Sequence, residues 1–142
     1  MFGDSFQGED KIDHVMSVQY TIHVKNQWIE MIGTDVVEEQ EIRDAFRGYI
    51  EDPLFRPDMH ALVDLRSAEL KTDTDIVHNF VKLLDDNQKR RGKNYRIALV
   101  VRDGIQETLS HLFSIYLQNR PVQCQVFKQR SPALDWLLSE DA

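Results

Sequence analysis

Charged side chains stand at the ends of two apolar runs that have the length of buried strands. Asp64 and Arg66 close the run that begins at Ala61, and Asp103 follows the run from Ile97 to Val101. Ligands of open parallel sheets commonly bind beyond the carboxyl ends of the strands, so we expect these side chains to meet at one edge, where they could hold a ligand or a partner. The set expected there is Asp64, Arg66, Arg102, Asp103 and Lys128.

Two of these carboxylates also have a structural interpretation. Asp103 stands where it could cap the N-terminus of the following helix, with Gln106 reciprocating at the third helical position. Asp64 could accept backbone hydrogen bonds or pair with an arginine. We favour these structural roles over catalysis.

Threonines and aspartates alternate just before the second predicted helix. Thr72, Asp73 and Thr74 could each bond the free amide groups of its first turn. A phosphate or another anion could use the same amides if the neighbouring carboxylates allowed it. The candidate ligand or partner site therefore comprises Asp64, Arg66, Thr72, Asp73, Thr74 and Asp103.

The sequence holds no catalytic or metal-binding set beyond these residues. Cys124 is the only cysteine and alternates with Val122 and Val126, so we expect it to be a buried apolar group. We expect His23 to face solvent, because no ligand partner stands near it at suitable spacing. Ser110 and His111 lie on one helix without a visible acid or base partner, and no glycine-rich phosphate loop follows a strand. We expect no cofactor, no metal and no enzymatic activity.

The charge balance argues against broad electrostatic capture of nucleic acid. The 142 residues include 24 acidic and 17 basic side chains, for a net charge of −7 with neutral histidine, which repels a polyanion. The densest basic cluster, Lys89 to Lys93, lies at the end of a predicted helix. Cations and a glycine both stabilise the C-terminus of a helix, so the cluster has a structural explanation. A patch for RNA or a membrane is the alternative, but no aromatic residues interleave with the cluster.

A hairpin and three strand-to-helix units position these residues. Val18 to Val24 alternates apolar and polar residues, Asn26-Gln27 makes the turn, and the return strand ends at Gly33. Thr34 or Asp35 is the expected cap of the first helix. Further strands are expected over 60–66, 97–101 and 121–127, with helices after each. The predicted fold class is α/β, with a mixed, mostly parallel five-stranded sheet and about four helices.

The helix after the central strand carries an apolar stripe. Such a stripe could line a cavity, although packing into a closed core explains it equally well. Its members are Ile105, Leu109, Leu112, Phe113 and Tyr116.

The length of the chain fits one domain. We expect a flexible N-terminal tail over residues 1–15, which lacks the apolar core of a secretory signal, and a single domain over 16–142. No apolar run approaches the ~20 residues that cross a bilayer. Because a lone cysteine also fits a reducing compartment, we expect a soluble, cytoplasmic protein that does not span the membrane.

The order of elements resembles the STAS superfamily, in particular its SpoIIAA-like branch, which is grouped with the lipid-binding SEC14 fold. The resemblance covers residues 18 to 138 and indicates family rather than chemistry. It is carried by Glu51-Asp52-Pro53 to Arg56-Pro57, Val63-Asp64-Leu65-Arg66, Ile97-Ala98-Leu99-Val100, Val126-Phe127 and Ala133-Leu134-Asp135-Trp136-Leu137.

Members of that superfamily are non-enzymatic regulators that switch partners, and classical anti-sigma antagonists do so through phosphorylation of a serine at the start of the second helix. This chain has Thr72-Asp73-Thr74-Asp75 there, so the serine switch is not carried over, and added phosphate would meet like charge. The resemblance implies a regulatory or protein-interaction module with a protein partner or a second copy. Its SEC14 relationship implies the alternative, a carrier or sensor of a small apolar or amphipathic, lipid-like ligand.

Overall fold

Five strands of the computed structural model, which describes residues 16–73 and 75–140, form one sheet in chain order. The first two strands pair antiparallel, and the other neighbouring pairs are parallel. This arrangement confirms the predicted mixed sheet opened by a hairpin. The strands are β1 (Val18–His23), β2 (Trp28–Glu38), β3 (His60–Lys71), β4 (Tyr95–Val100) and β5 (Val122–Phe127).

Helices cover the two faces of the sheet unequally. Three long helices pack on what we call the helical face, which Ile29, Ala61 and Leu99 share, and one helix packs on the opposite face. A fifth helix of four residues stands where the prediction extended the second helix. The helices are α1 (Glu39–Ile50), α2 (Asp75–Asp86), α3 (Gln88–Arg91), α4 (Ile105–Tyr116) and α5 (Arg130–Leu137).

β4 is an interior strand between β3 and β5 and is covered on both faces, as predicted. All six of its residues are buried, because helices cover both of its faces. It runs parallel to β3, with Ala61 opposite Ile97 and Asp64 opposite Val100. The outgoing ends of the two strands therefore lie side by side.

The boundary between β2 and α1 differs from the prediction. Thr34 and Asp35 do not cap the helix, because β2 continues to Glu38 and buries Val37 to 1% exposure on the helical face. Glu38 is instead the residue before the helix, and its backbone N–H donates to Glu41 Oε1 at 3.0 Å. The acidic residues of this first turn, Glu39 and Glu41, interact favourably with the positive end of the helix dipole.

A β-bulge lengthens β3 beyond its predicted end. Leu65 and Arg66 together face Gly33 of β2, so the alternation of side chains shifts by one residue. Before the bulge Ala61 belongs to the main core, and after it Ala68 does, at 1% exposure. The segment expected to be a loop is therefore the second half of a strand.

Arg91 lies in the core and not on a basic surface patch. Its side chain is fully buried, and its guanidinium lies 3.7 Å from the centre of the Tyr95 ring. Its Nε donates to the hydroxyl of Tyr49 at 3.2 Å, and Phe55 closes the aromatic surround. The helix-terminus interpretation of this basic cluster did not anticipate that one of its cations is buried, where cation–π contact compensates part of the lost hydration.

A tight contact between two loops holds Arg91 in place. The carboxylate of Asp58 accepts the backbone N–H groups of Lys93 at 2.7 Å and Asn94 at 2.9 Å, and its own N–H donates to the carbonyl of Arg91. Gly92 between them has a φ of 119°, which favours glycine.

Arg96 of β4 anchors the last helix. The side chain is buried on the face opposite the helical face. Its Nη1 donates to the carbonyls of Trp136 at 2.7 Å and Ser139 at 2.9 Å, which terminate α5. A cation at the carbonyl end of a helix also interacts favourably with the helix dipole. Arg96 therefore holds α5 against the sheet.

Candidate functional site

An apolar cavity of about 130 Å³ lies between the helical face of the sheet and helices α1, α2 and α4. Sheet residues such as Val63 form its floor, and Ile42, Val77 and Leu109 belong to its helical walls. Among the described residues, Ser110 is the one polar side chain in the lining. An engineered cavity of about 150 Å³ with a similar lining stays dry and binds benzene or xenon. The space therefore suits a small apolar molecule.

The floor of the cavity shows that the helices leave room over β3. Val63 lies in the middle of a five-stranded sheet on a face that helices cover, yet it is only half-buried. Its neighbours on the same face, Ala61 and Leu65, are buried to 3% and 7% exposure. Interiors normally pack at crystal-like density, so a gap over the centre of a sheet is a distinct feature of this molecule.

A polar clasp joins α1 to α2 beside the cavity, formed by Glu39, Arg43 and Asn79. Glu39 Oε2 accepts hydrogen bonds from Arg43 Nη2 at 2.8 Å and from Asn79 Nδ2 at 2.9 Å. The Arg43 guanidinium lies 5.9 Å from the centre of the Phe80 ring, and Phe80 and Ile42 line the cavity. The clasp bonds are half-buried, so α1 and α2 could separate at a modest cost.

Asp64 and Arg66 form an ion pair on the face of the sheet away from the cavity. Arg66 Nη2 lies 2.9 Å from Asp64 Oδ2, and the Arg66 backbone N–H donates to Asp64 Oδ1 at 3.1 Å. Burial of Asp64 opposes ionisation, but the hydrogen bonds from Arg66 outweigh it and lower the carboxyl pKa. Asp64 lies in the middle of β3 and not at its end, since the strand continues to Lys71, although β4 does end opposite it.

The expected set of five charged residues separates into two groups. Arg102 Nη1 donates to the backbone carbonyl of Arg66 at 2.9 Å and so joins the Asp64 pair. Asp103 is exposed and pairs with Lys128, which also lies 3.3 Å from Glu107. The hydrogen bond from Lys128 lowers the pKa of Asp103.

The predicted cap of α4 is wrong. Gly104 precedes the helix, and Gln106 does not reciprocate with Asp103. Gln106 is instead buried to 2% exposure, where its Nε2 donates to the Ala68 carbonyl at 2.6 Å and its Oε1 accepts the Arg102 backbone N–H at 3.3 Å. The glutamine ties α4 to β3, a contact that local spacing does not reveal.

Thr72 and Asp73 lie at the entry to α2, on a surface cleft next to Glu39 and Arg43. The Asp73 carboxylate accepts the Asp75 backbone N–H at 3.0 Å, which agrees with the capping interpretation. The Thr72 hydroxyl donates to the Asp73 carbonyl at 3.3 Å. Thr74, like the expected tail over residues 1–15, lies outside the described residues.

A polar network on the sheet was missed at the sequence level. His23 does not simply face solvent: its ring stacks on Trp28 with centres 4.1 Å apart, and its Nε2 lies 3.0 Å from Glu30 Oε1. Glu30 also accepts a hydrogen bond from Arg130 Nε at 3.0 Å. Burial raises the pKa of Glu30, but the bonds from Arg130 and His23 outweigh it and lower the pKa overall. The hairpin register could have suggested the first contact, but nothing in the sequence links Arg130 to it.

The lone cysteine has the apolar surroundings that were predicted, although it is partly rather than fully buried. Cys124 lies against the main core, and burial raises the pKa of its thiol to about 12. Such a thiol stays protonated and is a poor nucleophile.

The described residues include neither a cluster of metal ligands nor a membrane-spanning helix. Over residues 16–73 and 75–140, no three His, Cys, Asp or Glu side chains gather where they could hold a metal ion. Within the same residues, no helix has the length and apolar character required to cross a membrane.

Comparison with known proteins identifies the fold. No family model matches the chain, and no curated protein matches it significantly. Among solved structures it is similar to an uncharacterized protein from the DUF3478 family of Shewanella loihica PV-4, described as having a SpoIIAA-like fold. The two share 15% identity over 84% of this chain and 91% of that chain, with a TM-score of 0.54. The likeness confirms the predicted SpoIIAA-like fold.

Proposed function

We propose that this chain is a non-enzymatic binding protein that carries or senses a small apolar ligand in the cavity between the sheet and helices α1, α2 and α4. The supporting observation is the cavity itself, which is apolar apart from Ser110 and lies over the half-buried Val63. A regulatory module that only contacts another protein needs no internal space. The cavity therefore favours the ligand-binding alternative over the interaction module that the sequence favoured.

The size of the cavity limits its ligand. At about 130 Å³ it accepts a molecule near the size of benzene. Moving apolar area out of water supplies about 25 cal/mol per Å², so such a ligand needs no charged partner in the site. A longer, lipid-like chain would fit only if α1 and α2 separated and broke the clasp of Glu39, Arg43 and Asn79.

The charged residues that could support catalysis are engaged elsewhere. Asp64 pairs with Arg66, and Asp103 pairs with Lys128. None of these four residues belongs to the cavity lining. This separation supports binding without chemical conversion.

Titration with toluene tests the proposal. A ligand that binds the folded state alone raises the melting temperature as its concentration increases. Val63→Phe places a ring in the cavity and should abolish the effect, and Val77→Leu, from the helical wall, should weaken it. Val36→Phe is the matched control, because Val36 is a strand residue that is 48% exposed. Circular dichroism establishes that each variant is folded. Equal toluene responses in the wild type and in Val63→Phe would refute the cavity as the site.

Self-association is the second candidate, and the outer side of α4 favours it. Ile105 and Tyr116, expected to be buried in the apolar stripe, are 61% and 41% exposed, and Ile115 is 56% exposed. A second copy would bury these side chains. Light scattering across a wide concentration range should then detect a dimer that Ile115→Glu dissociates. A wild type that stays monomeric across this range would exclude self-association.

We also propose a cytoplasmic location, as the sequence analysis expected.

A further inference from the structure

Ser110 is an exception in the wall of the cavity. The residue is 7% exposed and lies in the middle of α4, next to Leu109. The other side chains of the cavity lining are apolar. The hydroxyls of Thr108 and Ser114 on the same helix each donate to a backbone carbonyl at 3.3 Å. The Ser110 hydroxyl makes no such bond with any residue that the structure describes.

The Ser110 hydroxyl opens onto the cavity without a partner among the described residues. Its oxygen is not one of the fully buried unpaired side-chain atoms of those residues, which are Nη1 and Nη2 of Arg91. Polar groups in protein interiors are nearly always hydrogen-bonded, so a hydroxyl on an apolar wall favours an occupant that can pair with it. A water at this position would pair with Ser110 and with other waters, because the surrounding walls offer it no second polar side chain. The hydroxyl is therefore available to whatever occupies the cavity.

We propose that the ligand of the cavity carries one hydrogen-bonding oxygen, a hydroxyl or a carbonyl, that pairs with the Ser110 hydroxyl, while its remaining surface is hydrocarbon. This inference rests on the function proposed above and adds the ligand class. A simple phenol, a short alcohol or a small cyclic ketone has this composition. A serine hydroxyl both donates and accepts, so it serves either oxygen type.

The matched probes are phenol and toluene, which have the same ring and differ by a hydroxyl in place of a methyl group. Each is titrated into the wild type, Ser110→Ala and Ser110→Thr, with binding followed by NMR chemical shifts. Ser110→Ala should weaken phenol binding by about five- to tenfold, because one hydrogen bond is lost. Toluene binding should stay the same or tighten. Ser110→Thr keeps the hydroxyl and should retain the preference for phenol over toluene that Ser110→Ala loses.

The outcomes separate this inference from the proposed function. If both probes bind and Ser110→Ala changes their affinities equally, the pairing with Ser110 is wrong while the cavity site stands. If toluene binds the wild type and phenol does not, the assigned ligand class is wrong. If neither probe binds, or if both still bind after Val63→Phe fills the cavity, the proposed function itself fails and this inference fails with it.

Discussion

Replacing Gly92 with alanine should destabilise the fold strongly. Gly92 sits between Arg91, which is buried, and the two amide groups that bond Asp58. A Cβ atom at this position would lie 2.2 Å from Asp58 Oδ1 and 2.4 Å from the Asp58 backbone nitrogen. Both distances are far inside van der Waals contact, so the Asp58 loop must move.

Two costs add to give the expected magnitude. A non-glycine residue at a φ of 119° costs about 1–3 kcal/mol in backbone strain. Displacing Asp58 breaks its bonds to the N–H groups of Lys93 and Asn94, and each bond to a charged acceptor contributes about 1–2 kcal/mol after allowance for exposure. The free energy of unfolding should therefore fall by about 3–7 kcal/mol, a large share of the total stability of a domain.

Urea unfolding measures this loss, and the chain offers a matched control. Gly104 has a similar φ of 104°, but a Cβ built there meets nothing within 4 Å. Gly104→Ala should therefore show the strain alone, about 1–3 kcal/mol. Asp58→Gly should reproduce the loss of the two hydrogen bonds without added strain, because Asp58 itself has a φ of 71°, which glycine adopts freely. If Gly92→Ala and Gly104→Ala destabilise the protein equally, the argument from the Asp58 contact is wrong.

Three further changes have defined outcomes. Burial, followed by the charge of Arg96, lowers the pKa of His60 below its ordinary 6.5. The free energy of unfolding should therefore fall as the pH drops below 6.5, by up to about 1.4 kcal/mol per pH unit, until the pKa of the folded state is reached. His60→Asn should remove this fall, measured as the urea midpoint at each pH. Arg96→Met should lower the free energy of unfolding by about 3 kcal/mol, because the carbonyls that end α5 lose a charged donor. The unfolding transition followed by Trp136 fluorescence should then occur at a lower urea concentration. Asp64→Ala should lower the stability by about 1–2 kcal/mol, since the largely buried Asp64 carboxylate accepts hydrogen bonds from the backbone and side chain of Arg66 that the variant loses. Asp103→Ala should leave the melting temperature almost unchanged, because Asp103 is exposed, and equal losses would contradict the burial argument.

The central architecture could be predicted because it rests on local patterns. The apolar run from Ile97 to Val101 has one reading that fits its length, a strand covered on both faces. The alternation from Val18 to Val24 similarly defines a half-buried strand. Right-handed crossover connections between such units then limit the order of the strands.

The ends of the elements could not be predicted in the same way. Residues 34–38 and 67–71 are mostly polar, and they form strands because each set bonds the other in parallel. The bulge at Leu65 and Arg66 also breaks the period of two that identifies a strand. Pairing partners more than thirty residues away decide the outcome here, and single-sequence periodicity does not contain them.

The candidate site was predicted less well than the fold. Of the five charged residues expected at one edge of the sheet, Asp64, Arg66 and Arg102 do contact one another. Asp103 instead forms a separate ion pair with Lys128. An apolar stripe on α4 is compatible with either a packed core or a cavity, so the sequence left both open. Only the three-dimensional separation of α1, α2 and α4 distinguishes them.

The bulge opposite Gly33 has an evolutionary consequence. Elsewhere in β3, inserting or deleting one residue would exchange every inward side chain beyond that point for an outward one. At Leu65 and Arg66 the strand already accommodates a supernumerary residue, so a shorter chain could drop it and still present Ala68 and Leu70 to the interior. Relatives of this protein should therefore differ in length at this position first, and an alignment that forbids a gap there would misplace the segment that leads into α2.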